Sequence, residues 1–476
     1  MTSNTYNKVL SLTGYTTSAG KAAPGLTRRD DAQAARMRPV LKDERVGLVA
    51  DAVFSVQGIP TSIFKDSGEA SPDDKQVQRW HEAAWNLGTA PLLWIITPSS
   101  VRLYDCYASP SGGAIQYSEP LKVFYIESPD DLVSLNAMCG RLATETGVFW
   151  ASPVGKQIDR RRRVDRELLN EINALEEALT GLPPAHASSI KLRKGKETEA
   201  SRDFAQRLIG RCIFTWYLLD RQIAQPFLPD LLQKPLSEIF SSRRRTFALF
   251  KWLRKTFGGD LFPMDDPGAE HHRLSDAHLE LIQEFIAGRS LVPEMLGQGR
   301  LFRFRFDAIP VDLISSIYQQ FARSSAEQDA HLQGLHYTPI EVVHLTLDPV
   351  MEGVSGSGRV IDPACGSGAF LVEAFRRLVW KSGLSGPVSR QQVRNVLYNQ
   401  LFGIDINRSA LGIAAFSLYL AALEFDSEPI AAVEDLRFNR LIGETLFEAD
   451  TVDSELPAAV RPNFGPPRTR VLRLLQ

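Results

Sequence analysis

Apolar and polar positions along the chain fall into three regimes. In residues 1–150 the apolar residues come in short runs. AVFSVQGI and TSIFK read as two strands, with the glycine and proline between them as their turn. KQVQRWHEAAWNLG sets Val77, Trp80, Ala84 and Leu87 on one side of a helix. PLLWIIT is continuously apolar, as a buried strand is, and VRLYDCY is its pairing partner. SPSGG at 109–113 reads as a turn, and the whole segment as mixed α/β. From 155 to 330 the period becomes helical. VDRELLNEINALEEALTGLPP is an amphipathic helix stopped by Gly181 and the Pro183–Pro184 pair. ASRDFAQRLIGRCIFTWYLLDRQI is apolar enough to be mostly buried, and PVDLISSIYQQFA at 310–322 opens with proline at a first helical position. The polar stretch SSAEQDAHLQG at 324–334 reads as a linker, and from Gly334 to 476 the pattern returns to α/β.

The third regime contains RVIDPACGSGAFLVEAF, 359–375, a strand end that runs through a turn of small residues into a helical pattern. Such a turn leaves backbone N–H groups free at a helix N-terminus. Gly366 and Gly368 let a ligand approach closely. Asp362, at the strand end, repels phosphate, and the lysine of a phosphate-binding loop is missing. The turn therefore favours a ligand bearing an ammonium group. A second strand, LFGID, ends in Asp405 before another helix. An acid at the end of a second strand binds ribose hydroxyls in dinucleotide-type folds. The same acid also reads as an N-cap for the helix that follows. The gap between Asp362 and Asp405 requires an extra helix and loop, SGLSGPVSRQQVRNVLYNQ, in between.

Length and composition add bounds. At 476 residues, 44% hydrophobic and 23% charged, the chain is an ordinary globular protein with room for two or three domains. No apolar run reaches the roughly 18 residues of a membrane span. MTSNTYNKVLSLTGYTTSAG lacks the basic start and apolar core of a signal peptide. Cys106, Cys139, Cys212 and Cys365 lie far apart without a CxxC pair. That sets aside a zinc site or a disulfide framework and fits a reducing cytoplasm. The net charge of −2 gives no argument for nucleic acid. Basic residues nevertheless cluster at Arg160–Arg163, at KLRKGK 191–196 and at Arg243–Arg245. One such cluster is usually a solvated helix end, whereas three in one segment favour a positive face.

These motifs carry a resemblance. DPACGSGAFL resembles the S-adenosyl-L-methionine motif of DNA adenine-N6 methyltransferases, and FGIDIN resembles their next motif. GLHYTPIEVVHLTL at 334–347 is similar to the motif that precedes the cofactor strand. The segments RLIGRCIFTWYLLDRQI, FGGDLF and FRFDAIPVDLISSIYQQF resemble the helical region of type IIG restriction–modification enzymes and BREX-type phage-defence methyltransferases. Together these cover most of 155–450. The resemblance implies a Rossmann-like S-adenosylmethionine domain over 334–476, preceded by a helical connector over 155–330. It implies that Asp362 and the turn of Pro363, Ala364, Cys365, Gly366, Gly368 and Phe370 hold the methionine end. Tyr337, Thr338 and Pro339 would close over it, and Asp405 with Ile406 would take the nucleoside. In LIGETLF, Glu444 stands where the family has a polar residue on the adenine ring; an exposed turn is the other reading.

In type IIG relatives the front domain is a PD-(D/E)xK nuclease, whose carboxylates bind magnesium beside a lysine. Here Asp51 and Lys65 sit at fitting positions, with Gln78 in the following helix. The position of the second acid is Ile63, which binds no magnesium. The 1–150 domain thus reads as nuclease-like in shape and degenerate in cleavage, or else as an unrelated α/β interaction domain. The Asn/Asp-Pro-Pro-aromatic motif needed to align an adenine amino group is also missing. Asn463-Phe464-Gly465-Pro466-Pro467 holds the letters in the wrong order, in a Pro-rich polar tail. Three functions remain open at this point. The chain is a cofactor-binding portion of a DNA methyltransferase, completed by a second protein chain or a missing part. Otherwise it is a non-catalytic regulatory or scaffold protein of a defence complex, or a nuclease with a methyltransferase-like sensor.

Overall fold

The computed structural model describes residues 2–31, 38–42, 44, 46–108, 118–159, 162–182, 194–257, 273–292, 303–309, 338, 340–383, 388–426, 428 and 430–450. Outside them lie the SPSGG turn, Arg160 and Arg161, the 310–322 helix, the 324–334 linker, FGGDLF beyond Phe257, Tyr337, Pro339 and the tail from 451. Two compact units are present, 1–175 with 284–309, and 176–283 with 310–476. The 155–330 zone of the sequence is shared between them.

The first unit contains α1 (Asn4–Leu12), β1 (Leu26–Arg28), α2 (Arg38–Leu41), β2 (Ala52–Val56), β3 (Ile59–Asp66), α3 (Asp74–Leu87), β4 (Leu92–Ile96), β5 (Ser100–Asp105), β6 (Lys122–Tyr125), α4 (Pro129–Cys139) and α5 (Arg141–Glu145). It also holds most of α6 (Val164–Gly181). The six strands form one sheet in sequence order. Only β3 and β4 run parallel, because α3 crosses over between them. Side-chain alternation gives the sheet two apolar faces. Phe54, Phe64, Trp94 and Ile96 pack with Tyr6, Val9 and Leu10 of α1 and with Leu135 of α4. Val53, Ile63, Leu93 and Ile95 pack with Val77, Trp80, Ala84 and Leu87 of α3, the side its spacing predicts. Asp73 caps α3 at the front by accepting the Gln76 N–H, and Gly88 ends it in the left-handed region at φ 58°.

The β2–β3 turn differs from the sequence reading. Gln57 and Gly58 form it, both with positive φ (51° and 82°). Pro60 lies inside β3 opposite Ser55, where the register shifts. Proline is tolerated there because the irregularity spares it a ladder N–H. A second feature is non-local. Residues 303–309 return to α3: Asn86 donates to the Arg303 carbonyl (3.1 Å) and accepts from the Arg305 N–H (2.9 Å). Phe304 stacks on Trp85 at 5.7 Å between ring centroids.

The second unit contains α7 (Lys194–Asp220), α8 (Leu236–Ile239), α9 (Arg243–Phe257), most of α10 (Asp276–Ile286), α11 (Ile340–Glu352), β7 (Val360–Asp362), α12 (Ala369–Ser382), α13 (Arg390–Asn399), β8 (Leu401–Asp405), α14 (Arg408–Phe425) and β9 (Leu446–Glu448). Strands β7, β8 and β9 form a parallel sheet in that order. Helix α13 is the interposed helix that the Asp362–Asp405 gap requires, opened by a capping box of Ser389 and Gln392. Helix α14 is apolar nearly all round, as a helix buried on several sides must be. Phe214 of α7 packs on its Phe416 with ring centroids 5.6 Å apart. Among the described residues no helix is long and apolar enough to cross a membrane.

Candidate functional site

The carboxyl ends of β7 and β8 lie side by side in parallel register, with Asp362 opposite Gly403. The chain leaves β7 through Pro363 and turns back at Gly366 and Gly368, with φ of 53° and 86°. Two hydrogen bonds fix this turn: the Cys365 N–H donates to the Ile404 carbonyl (2.9 Å) and the Gly368 N–H to the Cys365 carbonyl (2.8 Å). Gly403 leaves room for the turn to sit on β8. A Cβ there would fall 2.9 Å from the Cys365 Sγ and 2.7 Å from Leu371. Cys365 itself is buried, and burial pushes its thiol well above the ordinary range, so it packs and does not react.

Asp405 is a clasp. One carboxylate oxygen accepts the Gly366 N–H at 2.8 Å and the other the Asn407 N–H at 2.8 Å. Asn407, not Asp405, caps α14, accepting the Ala410 N–H at 3.1 Å. Asp362 is held differently. Its Oδ1 accepts the Ala364 N–H at 3.1 Å, while Oδ2 is shielded from solvent and has no hydrogen-bond partner among the described residues. Burial pushes its carboxyl up to about 6, the Ala364 N–H opposes this, and the Asp405 charge adds to it. At neutral pH the group is thus an ionised, under-satisfied acceptor, and a cation or an N–H donor relieves it. A Cβ on Gly366 would meet nothing within 4 Å among the described residues.

The rim is mixed. Ile406 is 61% exposed directly beside Asp405. Ala364 is exposed, and Pro363, Phe370 and Thr338 are half-buried. Glu444 is not brought to this end. It lies in the turn before β9, its N–H donating to the Leu441 carbonyl (3.0 Å). Its place is thus the amino end of the sheet. The acid opposite Asp405 is Glu448, paired with Arg408 at 3.1 Å. Sequence reasoning missed Glu448 and Arg408; the acid closing the short apolar run LFE was the signal available.

The first unit brings Asp51 and Lys65 together without a metal-ligating set. Asp51 accepts from Arg29 (2.7 Å) and from the Asp66 N–H (2.7 Å). Lys65 donates to the Val49 carbonyl (2.9 Å), and its ammonium lies 5.2 Å from the Trp80 ring. Burial raises the Asp51 pKa and lowers that of Lys65. Ile63 is fully buried in the α3-facing core, and Gln78 is half-buried. Among the described residues no group of three His, Cys, Asp or Glu side chains converges as metal ligands do.

Residues 310–453 match the family model for N-6 DNA methylase. The adenine-specific methyltransferase PglX of Streptomyces coelicolor is 26% identical over 294 residues, covering 55% of this chain and 24% of that protein. The type II restriction enzyme and methyltransferase RM.BcgI of Heyndrickxia coagulans is 28% identical over 109 residues, 23% of this chain and 16% of the relative. The chain therefore spans about a quarter or less of the length of these curated relatives. A solved DrdV–DNA complex covers 89% of this chain and 39% of its own, at 12% identity and a TM-score of 0.30. Residues 310–453 are thus similar to the N-6 DNA methylase family, and the curated relatives they resemble include methyltransferases of restriction–modification type and PglX.

Proposed function

We propose that this chain is the S-adenosyl-L-methionine-binding portion of a DNA adenine-N6 methyltransferase in a restriction–modification or phage-defence system. The observation that carries the reading is the pair of strand-end carboxylates around an open glycine turn. Asp405 organises the turn from below, and Asp362 keeps one shielded oxygen without a partner among the described residues. The bound donor supplies the methyl group. Asp362 and the turn of Pro363, Ala364, Cys365, Gly366 and Gly368, with Phe370, hold the methionine ammonium end. Thr338, with Tyr337 and Pro339, closes over it. Asp405 holds the ribose, and Ile406, an exposed apolar side chain at the same strand end, covers the adenine ring. Glu444 has no part in this arrangement.

Presentation of the target adenine requires a second polypeptide or a further part of the protein, because the aligning Asn/Asp-Pro-Pro-aromatic motif is not among these 476 residues. The free edge of β7, which pairs with β8 alone among the described residues, supports a sheet continued from elsewhere. The 1–150 segment acts as a nuclease-like domain without cleavage. Support comes from Arg29, which neutralises Asp51 with its cation, and from Ile63, which is core. The working compartment is the cytoplasm, where the donor and DNA meet.

Calorimetry with S-adenosylmethionine on wild type and Asp405→Ala tests this: wild type binds, and the variant loses at least about tenfold in affinity, since a charge-assisted hydrogen bond and the turn it orders are removed together. Absence of binding by wild type sinks the reading. Robust adenine methylation by this chain alone refutes the claim that alignment comes from elsewhere.

A further inference from the structure

Helix α9 carries charge of one sign. RRRTFALFKWLRKTF holds six arginines and lysines and no acid. Its apolar positions, Leu249, Phe250, Leu253 and Phe257, are buried in the second unit, so cations are what it offers to solvent. Arg244, Lys251 and Lys255 are exposed and fall within an arc of about 40°, at 3.6 residues per turn, over about 16 Å of helix. Exposed Arg254 flanks them. None of the four has a hydrogen bond or ion pair among the described residues. Several arginines elsewhere are matched to acids, Arg289 to Glu284, Arg305 to Asp307, Arg376 to Glu424 and Arg390 to Asp426, while, among the described residues, exposed Arg79 is not. Beyond the helix, the Phe438 N–H donates to the Phe257 carbonyl (2.9 Å), which brings exposed Arg437 to the same end. The exposed acids bordering α9 are Asp230, Glu434 and Glu238, the last paired with Lys234 at 4.0 Å; Asp435 is held by Arg390 at 3.0 Å.

Two simpler accounts fall short. Cations in the last turn complement the helix dipole, which covers Arg254 and Lys255. Arg244 sits in the first turn, where the dipole disfavours a cation. A basic amphipathic helix also suits a membrane surface, but that mode needs a free apolar face, and here that face is core.

We propose that Arg244, Lys251, Arg254 and Lys255 form a contact face for the phosphate backbone of duplex DNA, along a length over which B-DNA presents about ten phosphates. The proposal rests on the reading of the chain as part of a DNA methyltransferase and adds where the duplex is gripped. Such contacts position the duplex without reading its sequence.

The test is anisotropy titration of the full chain with a labelled random duplex of about 30 base pairs over a salt series. It compares wild type, a variant with Arg244, Lys251, Arg254 and Lys255 each changed to Gln, and a control with Lys8, Lys75, Arg79 and Lys156 each changed to Gln. All eight side chains are exposed, so folding, checked by circular dichroism, is retained. In the α9 variant the slope of log affinity against log salt becomes less negative by about 3 to 4, one counterion per lost phosphate contact. Its affinity at moderate salt falls at least about tenfold, while the control keeps the wild-type slope. An unchanged slope in the α9 variant, an equal loss in the control, no duplex binding by wild type, or stronger α9-dependent binding to phosphatidylserine vesicles than to DNA each overturns the proposal. Calorimetry with S-adenosylmethionine on the same α9 variant, expected to match wild type, reports on the cofactor reading separately.

Discussion

Two glycines of the turn after β7 differ only slightly in backbone yet face opposite surroundings, and alanine at each separates fold from the proposed ligand. At Gly368, φ is 86°, and an added Cβ falls 2.9 Å from the Ala414 Cβ and 3.1 Å from its Cα. A left-handed φ costs a non-glycine residue about 1–2 kcal/mol. Carbon contacts are comfortable at about 3.5–4.0 Å. Ala414 is fully buried in the middle of α14, so its backbone gives little. Overpacking of this kind costs a further 1–3 kcal/mol or so. Gly368→Ala therefore destabilises the second unit by about 2–5 kcal/mol. At Gly366, φ is 53° and the added Cβ meets nothing within 4 Å among the described residues. Gly366→Ala costs only the backbone strain, about 1–2 kcal/mol, while its methyl intrudes on the space assigned to the donor. Urea unfolding followed by circular dichroism gives the first quantity and calorimetry with S-adenosylmethionine the second. The reasoning is refuted if Gly368→Ala is no less stable than Gly366→Ala, or if Gly366→Ala binds the donor as wild type does.

Three further outcomes follow from the same geometry. The Asp362 carboxyl, held up to about 6, keeps its proton in the folded chain at pH values where the unfolded chain, near 3.9, has released it. Its contribution thus weakens the folded state as pH rises from about 4 to about 6 and stays constant above, a loss of roughly 1–3 kcal/mol. Asp362→Asn removes that loss, so unfolding near pH 8 shows the variant more stable than wild type, while calorimetry shows it binding the donor more weakly; a variant less stable than wild type there contradicts the assignment. Wild-type affinity for the donor falls below about pH 6, as the acceptor is protonated; an affinity flat down to about pH 4.5 contradicts it. Ile63→Glu, which restores the missing acid, puts a charge into a fully buried position and destabilises the first unit by several kcal/mol, with no gain of magnesium-dependent DNA cleavage; a stable, cleaving variant contradicts this.

What the sequence made legible was what short-range pattern controls. Period 3.6 in 75–88 located α3 and its buried side, and continuous apolarity located β4. The strand–turn–helix at Asp362 and the strand end at Asp405 lay where the residues put them. What failed depended on registers or distant partners. Pro60 reads locally as a turn residue; only the shifted pairing opposite Ser55 accommodates it in a strand. Glu444 was placed by its neighbours in sequence, whereas the parallel pairing of Asp405 with Glu448 decides which acid reaches the carboxyl edge. The Arg29–Asp51 ion pair joins residues 22 apart, and the Asn86–Arg305 bond residues 219 apart. No period in either segment announces such partners.

The hydrogen bond from Gly366 to Asp405 spans 39 residues. Between its two ends lie all of α12 and α13 and the strand β8. Closing a loop of that length costs more chain entropy than any contact within the turn itself. A growing chain can complete a helical turn at 369 soon after making it, but it has no clasp until residue 405 has been synthesised and the parallel strands have docked. If the proposed site holds the donor, donor binding is a marker of finished folding: a destabilised or partly unfolded population loses it before it loses helix content.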